Sequence, residues 1–261
     1  MDKELRNYTV QLLQKGKRID GRGLTDYREP VTVRSGISET AEGSAEVHIG
    51  DTIVMAGVKM SIETPYPDTP DQGGIMVNVE LYPMSSPQYE PGPPGQAAVE
   101  LARVVDRGIR ESKAIDMKKL CIEKGEKVWT VNIDIVTIND AGNLFDACAL
   151  AAVAALRDAY FPKYENGDLN YKEKSKKKLP LLKEPVSVTV YKIDKSFIVD
   201  PDTDESEVYD ARLTVASTPD GQLSALQKGG DMPLTVEDIT TMVDIALEKA
   251  SFLRSKLTGG K

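Results

Sequence analysis

A chain of 261 residues is long enough for one large α/β domain or two modest ones packed together. Hydrophobic residues at 40% and charged residues at 28% are those of a folded globular protein, and the start, Met1-Asp2-Lys3-Glu4-Leu5-Arg6, lacks the apolar core of a secretory signal. A net charge of −8 argues against a free-standing nucleic-acid binder, and a single histidine, His48, argues against a histidine zinc site or a Ser-His-Asp triad.

The first fifteen or so residues read as a helix carrying Leu5, Val10, Leu12 and Leu13, with Gly16 as its stop. A polar turn follows at Arg18-Ile19-Asp20-Gly21-Arg22. Strands are predicted at Val31–Val33, Ala45–Ile49, Thr52–Ile62 and Ile75–Leu81, with Gly50-Asp51 as a tight hairpin candidate. Prolines and glycines make Pro83–Gly95 a loop, and a helix runs from about Gly95 to Ala114. Strands resume at Leu120–Glu123 and Val128–Ile138, the second placing Trp129, Val131, Ile133 and Ile135 on one face. After the turn Asn139-Asp140-Ala141-Gly142, a helix from about Asn143 to Tyr160 is apolar nearly all round, hence central to the core. Its longest apolar stretch, residues 147–156, is too short to span a bilayer.

Residues 162–184 are polar and lysine-rich, an exposed connection between residues 1–161 and 185–261. The second part gives strands at Val186–Ile193, Phe197–Val199, Ala211–Ser217 and Leu223–Gln227, then an amphipathic helix from about Thr235 to Leu257. Strands and helices alternate irregularly, which predicts an α+β fold with mixed sheets in two similar halves rather than a doubly wound parallel sheet. The two cysteines, Cys121 and Cys148, lie in apolar segments and predict buried thiols in a reducing cytoplasm, not a disulfide.

Charge is unevenly spread. Residues 103–119 hold six basic groups against three acidic ones, whereas residues 194–210 hold one against seven. At 100° per residue, Arg107 and Arg110 fall within about 40° of Arg103 on one helical face, opposite Ala98, Leu101, Val105, Gly108 and Ile109. The row is either a solvated face with i,i+4 pairs such as Asp106 with Arg110 and Arg107 with Glu111, or a phosphate-contacting edge. The turn Asp140-Ala141-Gly142-Asn143 opens a helix after a strand, a setting for anion binding, but Leu144 brings no charge and Asp146 would repel phosphate. The run Asp200-Pro201-Asp202-Thr203-Asp204-Glu205-Ser206-Glu207 resembles a calcium loop only superficially. Glu205 stands where a glycine is needed and Ala211 where a bidentate glutamate is needed, so a surface loop is expected and no metal site. Lys172, Lys174, Lys176, Lys177 and Lys178 form a basic run that is either solvated loop or RNA contact.

Arg18-Ile19-Asp20-Gly21-Arg22, Gly43-Ser44-Ala45 and Gly50-Asp51-Thr52 resemble the opening of RNase PH-type proteins. Tyr66-Pro67-Asp68-Thr69-Pro70 with Gln72-Gly73, Glu90-Pro91-Gly92-Pro93-Pro94, residues 100–107, residues 142–147 and Val199-Asp200-Pro201-Asp202 resemble one branch: the non-catalytic RNase PH-like subunit of the archaeal exosome. The resemblance covers essentially the whole chain. It implies the RNase PH fold and a hexameric ring in which this subunit alternates with a catalytic paralogue, together with RNA-binding cap subunits and single-stranded RNA. RNA would be shortened from its 3′ end by phosphorolysis, with phosphate, and possibly magnesium, held in the partner's active site and no cofactor on this chain.

Active members of the family carry Gly, then Ser or Thr, then Arg at the phosphate loop. The matching run here is Gly142-Asn143-Leu144, and the two family aspartates match Ser206 and Arg212. The resemblance therefore implies no cleavage by this chain alone and RNA contact at Arg103, Arg107 and Arg110, the last matched less firmly. The rival reading is a phosphorolytic exoribonuclease active on its own.

Overall fold

The protein is described by a computed structural model covering residues 3–165 and 168–259. In chain order the elements are α1 (Lys3–Leu13), β1 (Val31–Ser35), β2 (Gly43–Ile49), β3 (Thr52–Glu63), β4 (Gly74–Glu80) and α2 (Gln96–Glu111). After a 3-10 turn at Met117–Leu120 come β5 (Cys121–Glu123), β6 (Lys127–Asn139), α3 (Leu144–Asp158), β7 (Tyr160–Glu165) and β8 (Asp168–Lys178). The second half comprises β9 (Val186–Ile193), β10 (Ser196–Val199), α4 (Thr203–Val208), β11 (Ala211–Ser217), β12 (Leu223–Gly229) and α5 (Val236–Gly259).

The first sheet has the order β1-β2-β3-β6-β4, with β5 also on β6; β4 pairs parallel to β6 and the remaining pairs are antiparallel. The second sheet, β10-β9-β11-β12, is antiparallel throughout. The architecture is α+β, as the irregular alternation of elements predicts. Alternation also explains β6: Trp129, Val131, Ile133 and Ile135 are all buried on the core side. The β2–β3 hairpin closes with Ile49 opposite Thr52, and Gly50 supplies the required left-handed residue at φ +55°.

Helix α3 lies between the sheets, packing on β2, β3 and β9, and every residue from Ala147 to Leu156 is buried. Its alanines permit close approach, and β2 answers with Gly43, where a Cβ would lie 2.3 Å from the Ala155 carbonyl oxygen. One continuous core joins both halves. A smaller cluster of Leu13, Tyr191, Ile193, Ile198 and Val208 seats α1 on the second sheet and α4.

Three expectations need correction. The lysine-rich connection is not an open loop: β7 and β8 form a two-stranded hairpin, with Lys177 over the Phe161 ring and Lys178 over Tyr160. Lys174, Lys176 and Lys178 recur every second residue, a strand period written in charged rather than apolar residues. The acidic run is not a surface loop either. It contains α4, started by a capping box in which the Asp202 carboxylate accepts from the Glu205 N–H while the Glu205 carboxylate accepts from the Asp202 N–H. Finally, Cys148 is buried but Cys121 is only half-buried; both are free thiols.

Candidate functional site

The turn before α3 is shaped by two left-handed residues, Gly142 at φ +105° and Asn143 at φ +57°. A Cβ on Gly142 would sit 2.4 Å from the Pro201 carbonyl oxygen, so turn and acidic segment are in direct backbone contact. Gly142→Ala should cost about 2 kcal/mol or more, because backbone strain and steric overlap add; a urea midpoint that fails to fall would contradict that contact.

Every polar group on the turn with a described partner is bonded within the protein. The Gly142 N–H donates to the Asp140 carboxylate at 3.0 Å, and its carbonyl accepts from the Thr52 hydroxyl at 2.7 Å and from Arg28 Nη2 at 3.0 Å. Asn143, 3% exposed, donates from Nδ2 to Asp146 and to Asp200, while its Oδ1 is buried without a partner. Leu144 is buried. The Gly142 N–H and the Asn143 amide, which an anion at this turn would use, are thus already bonded to the protein's own carboxylates.

Asp200 and Glu205, read from sequence as surface acids, are buried beneath three arginines of the segment before β1. Asp200 accepts from the Arg28 backbone N–H at 2.6 Å, from Arg28 Nη2 at 2.8 Å and from Arg22 Nη1 at 3.1 Å. Arg18 bonds Glu205 with two nitrogens and also reaches the Val199 and Asp200 carbonyls. This clasp ties the N-terminal segment to the second half. Sequence reading missed it, since nothing local links charges so far apart.

Asp146 lies inside, fully buried. Its carboxylate accepts from the Thr189 N–H at 2.8 Å, the Tyr27 hydroxyl at 2.8 Å and Asn143. Burial outweighs these bonds and raises its pKa from 3.8 to about 7. The folded state therefore binds more protons than the unfolded state between those values, so stability falls as pH rises from 3.8 to about 7. Asp146→Asn should flatten that part of the stability–pH curve; an unchanged slope in denaturant titrations would show that another group sets it.

A cleft of about 300 Å³ brings together the positions singled out by motif: Gly142, Asn143 and Leu144 from the turn, Ser206 from α4 and Arg212 from β11. Glu100 of α2 and Asp140 also line it. Arg212 is buried, stacked with its guanidinium carbon 4.0 Å from the Phe145 ring centroid, and donates to Glu100 at 2.6 Å. Glu100 takes the Arg212 Nη2, while the Arg212 Nη1 is buried without a partner. Among the described residues, no group of three or more His, Cys, Asp or Glu side chains is arranged to hold a metal ion.

The arginine row lies on α2, outside this cleft. As the helical wheel predicts, Ala98, Leu101, Val105, Gly108 and Ile109 are buried and Arg103, Arg107 and Arg110 exposed. The three differ in freedom. Arg110 is held by Asp106 through bonds of 2.6 and 3.0 Å and by the Ile75 carbonyl at 3.0 Å. Neither the Arg103 nor the Arg107 guanidinium has a hydrogen-bond or ion-pair partner among the described residues, and the Arg107–Glu111 pair does not form. Arg103 borders a groove of about 380 Å³ between α2 and β4. No described helix is long and apolar enough to cross a membrane.

Two sheet-and-helix halves around a shared central helix, with a glycine turn facing the second sheet across a cleft, define the RNase PH fold. Domain 1 of the 3′ exoribonuclease family matches residues 28–162 and domain 2 matches residues 183–249, so the chain belongs to that family. It is 47% identical over 251 residues to the exosome complex component Rrp42 of Methanosarcina acetivorans, covering 95% of this chain and 91% of that protein. Rrp42 of Saccharolobus solfataricus is 45% identical, with 95% and 91% covered. Among solved structures, a chain of the Archaeoglobus fulgidus exosome with RNA bound to the active site superposes with a TM-score of 0.90 at 46% identity, covering 97% of both chains. A chain of an archaeal exosome core gives 0.86 at 44% identity, with 98% of this chain and 96% of that one covered.

Proposed function

We propose that this chain is the non-catalytic ring subunit of an archaeal exosome, a cytoplasmic assembly that degrades RNA 3′→5′ by phosphorolysis. In this reading it alternates with a catalytic RNase PH-like subunit in a hexameric ring beneath RNA-binding cap subunits. It orders its catalytic neighbour and lends Arg103, Arg107 and, more weakly, Arg110 to single-stranded RNA at the shared boundary.

The observation that carries the reading is the make-up of the cleft. Phosphorolysis needs a seat for inorganic phosphate and a carboxylate near the leaving oxygen. Here Leu144 adds no charge, the Gly142 N–H is bonded to Asp140, and the carboxylates of Asp140 and Glu100 line the same cleft. These residues do not fit a phosphate, because two carboxylates and an uncharged Leu144 stand where an anion would sit. Phosphate, with magnesium where required, belongs in the partner's site in this reading.

The rival is a chain that degrades RNA unaided. Incubating the purified chain with RNA and phosphate should release no nucleoside diphosphate, whereas the mixture with the catalytic subunit should release it. Phosphate-dependent release by the pure chain would establish the rival.

A further inference from the structure

The β7–β8 hairpin concentrates positive charge that the protein does not neutralise. Lys174, Lys176, Lys177 and Lys178 are all exposed. None of their ammonium groups has a hydrogen-bond or ion-pair partner among the described residues. Those of Lys177 and Lys178 lie instead over the rings of Phe161 and Tyr160, 4.6 and 5.4 Å from the centroids. A ring face holds a cation in place without cancelling its charge. The acids at hand are engaged elsewhere, Glu165 and Glu173 both with Lys163 at 3.7 and 3.1 Å. All this occurs in a chain of net charge −8, where carboxylates outnumber cations.

The strip is also stiff. Edge-on contacts of Trp129 with Phe161 and Tyr164, centroids 5.4 and 5.9 Å apart, hold the hairpin to the first sheet. At its base the Tyr160 N–H donates to the Glu42 carbonyl at 3.1 Å, and the Leu179 N–H donates to the Ala159 carbonyl at 3.0 Å. Tyr160 pairs with Lys178 and Pro162 with Lys174, so β8 carries two residues more than β7 between those pairs. In a regular strand, successive side chains would turn to opposite faces. With this bulge, Lys176, Lys177 and Lys178 are exposed in succession. Blunting a free strand edge needs only a charge or two.

Four like charges along at most about 13 Å of strand repel one another, and a linear polyanion offsets that repulsion best. Side chains stand off the faces of a strand rather than along its hydrogen-bonding edge. These lysines therefore address what lies over the hairpin, whereas an extended acidic peptide would add at the edge. Resting on the RNA-contacting reading above, we propose that the outer side of the β7–β8 hairpin holds the backbone of single-stranded RNA, apart from the cleft and the α2 arginines. A strand within a duplex advances ~3.4 Å per phosphate and an extended single strand further, so about three phosphates lie against residues 174–178.

The test uses the assembled complex and a labelled oligouridine titrated across a salt series. Lys174→Gln, Lys176→Gln, Lys177→Gln and Lys178→Gln together should lower the slope of log affinity against log salt by about 2, three phosphate contacts on a single strand. Arginine at the same four positions should keep the wild-type slope. Lys174→Gln with Lys176→Gln, which disturbs neither ring contact, should lower the slope by about 0.7–1.4 and so guards against misfolding of the larger variant. Unchanged affinity and slope in both glutamine variants overturns the proposal. So does a variant complex that loses subunits by mass photometry, since a protein neighbour then covers the hairpin. Polyglutamate that binds as tightly as the RNA, with the same dependence on these lysines, overturns it in favour of an acidic protein partner. If the glutamine variants are silent while Arg103→Ala with Arg107→Ala weakens binding, only the hairpin proposal falls. If all are silent, the RNA reading falls with it.

Discussion

Arg18→Met should lower the unfolding free energy by about 3–5 kcal/mol, the range for breaking a buried ion pair from one side. The Arg18 and Glu205 side chains are 0% and 1% exposed, so removing the guanidinium strands a carboxylate away from water. It also strips the Val199 and Asp200 carbonyls of donors at 2.7 and 2.9 Å. The double variant Arg18→Met with Glu205→Met should recover part of the loss, because two apolar side chains leave no unpaired charge. Guanidinium denaturation of both variants checks this. A single-variant cost below about 1 kcal/mol would mean that water reaches Glu205.

Replacing Arg103 and Arg107 together by alanine should weaken RNA binding by the complex about tenfold or more while leaving the ring assembled, since hydrogen bonds to charged groups contribute about 1.5–3 kcal/mol each. Both side chains are exposed and have no hydrogen-bond or ion-pair partner among the described residues, so their loss should leave the fold intact. The signature is a fall of about 1.4 in the salt slope of RNA binding. Arg110→Ala should have a smaller effect, because its guanidinium is already bonded to Asp106 and the Ile75 carbonyl. Full activity and an unaltered salt slope in the double variant would remove the arginines from the RNA path.

The parts legible in the sequence are those with a local period. Val186–Ile193 and Ala211–Ser217 match β9 and β11 to the residue, and the two faces of α2 follow from a 3.6-residue turn. Long-range charge has no such period. Arg28 and Asp200 are 172 residues apart, and acidic residues in a run are ordinarily solvated, so the clasp was invisible and α4 was read as a loop. A signal for α4 was nonetheless present, in the spacing of Asp202 and Glu205 that makes a capping box. The cleft was legible in pieces. Gly142, Asn143, Leu144, Ser206 and Arg212 are singled out by motif, but only the stacking of Arg212 on Phe145 and the contact of Gly142 with Pro201 put them around one space. Glu100 gave no sign that it would meet Arg212.

The clasp also bears on how the polypeptide is made. Arg18 leaves the ribosome 187 residues before Glu205, an interval of about 10–40 s at ordinary synthesis rates. For that time the nascent amino-terminal part carries cations whose counterions have not yet been translated, and a message truncated before codon 200 would yield a product that never acquires them. The clasp can therefore close only late in synthesis, once both carboxylates have been translated.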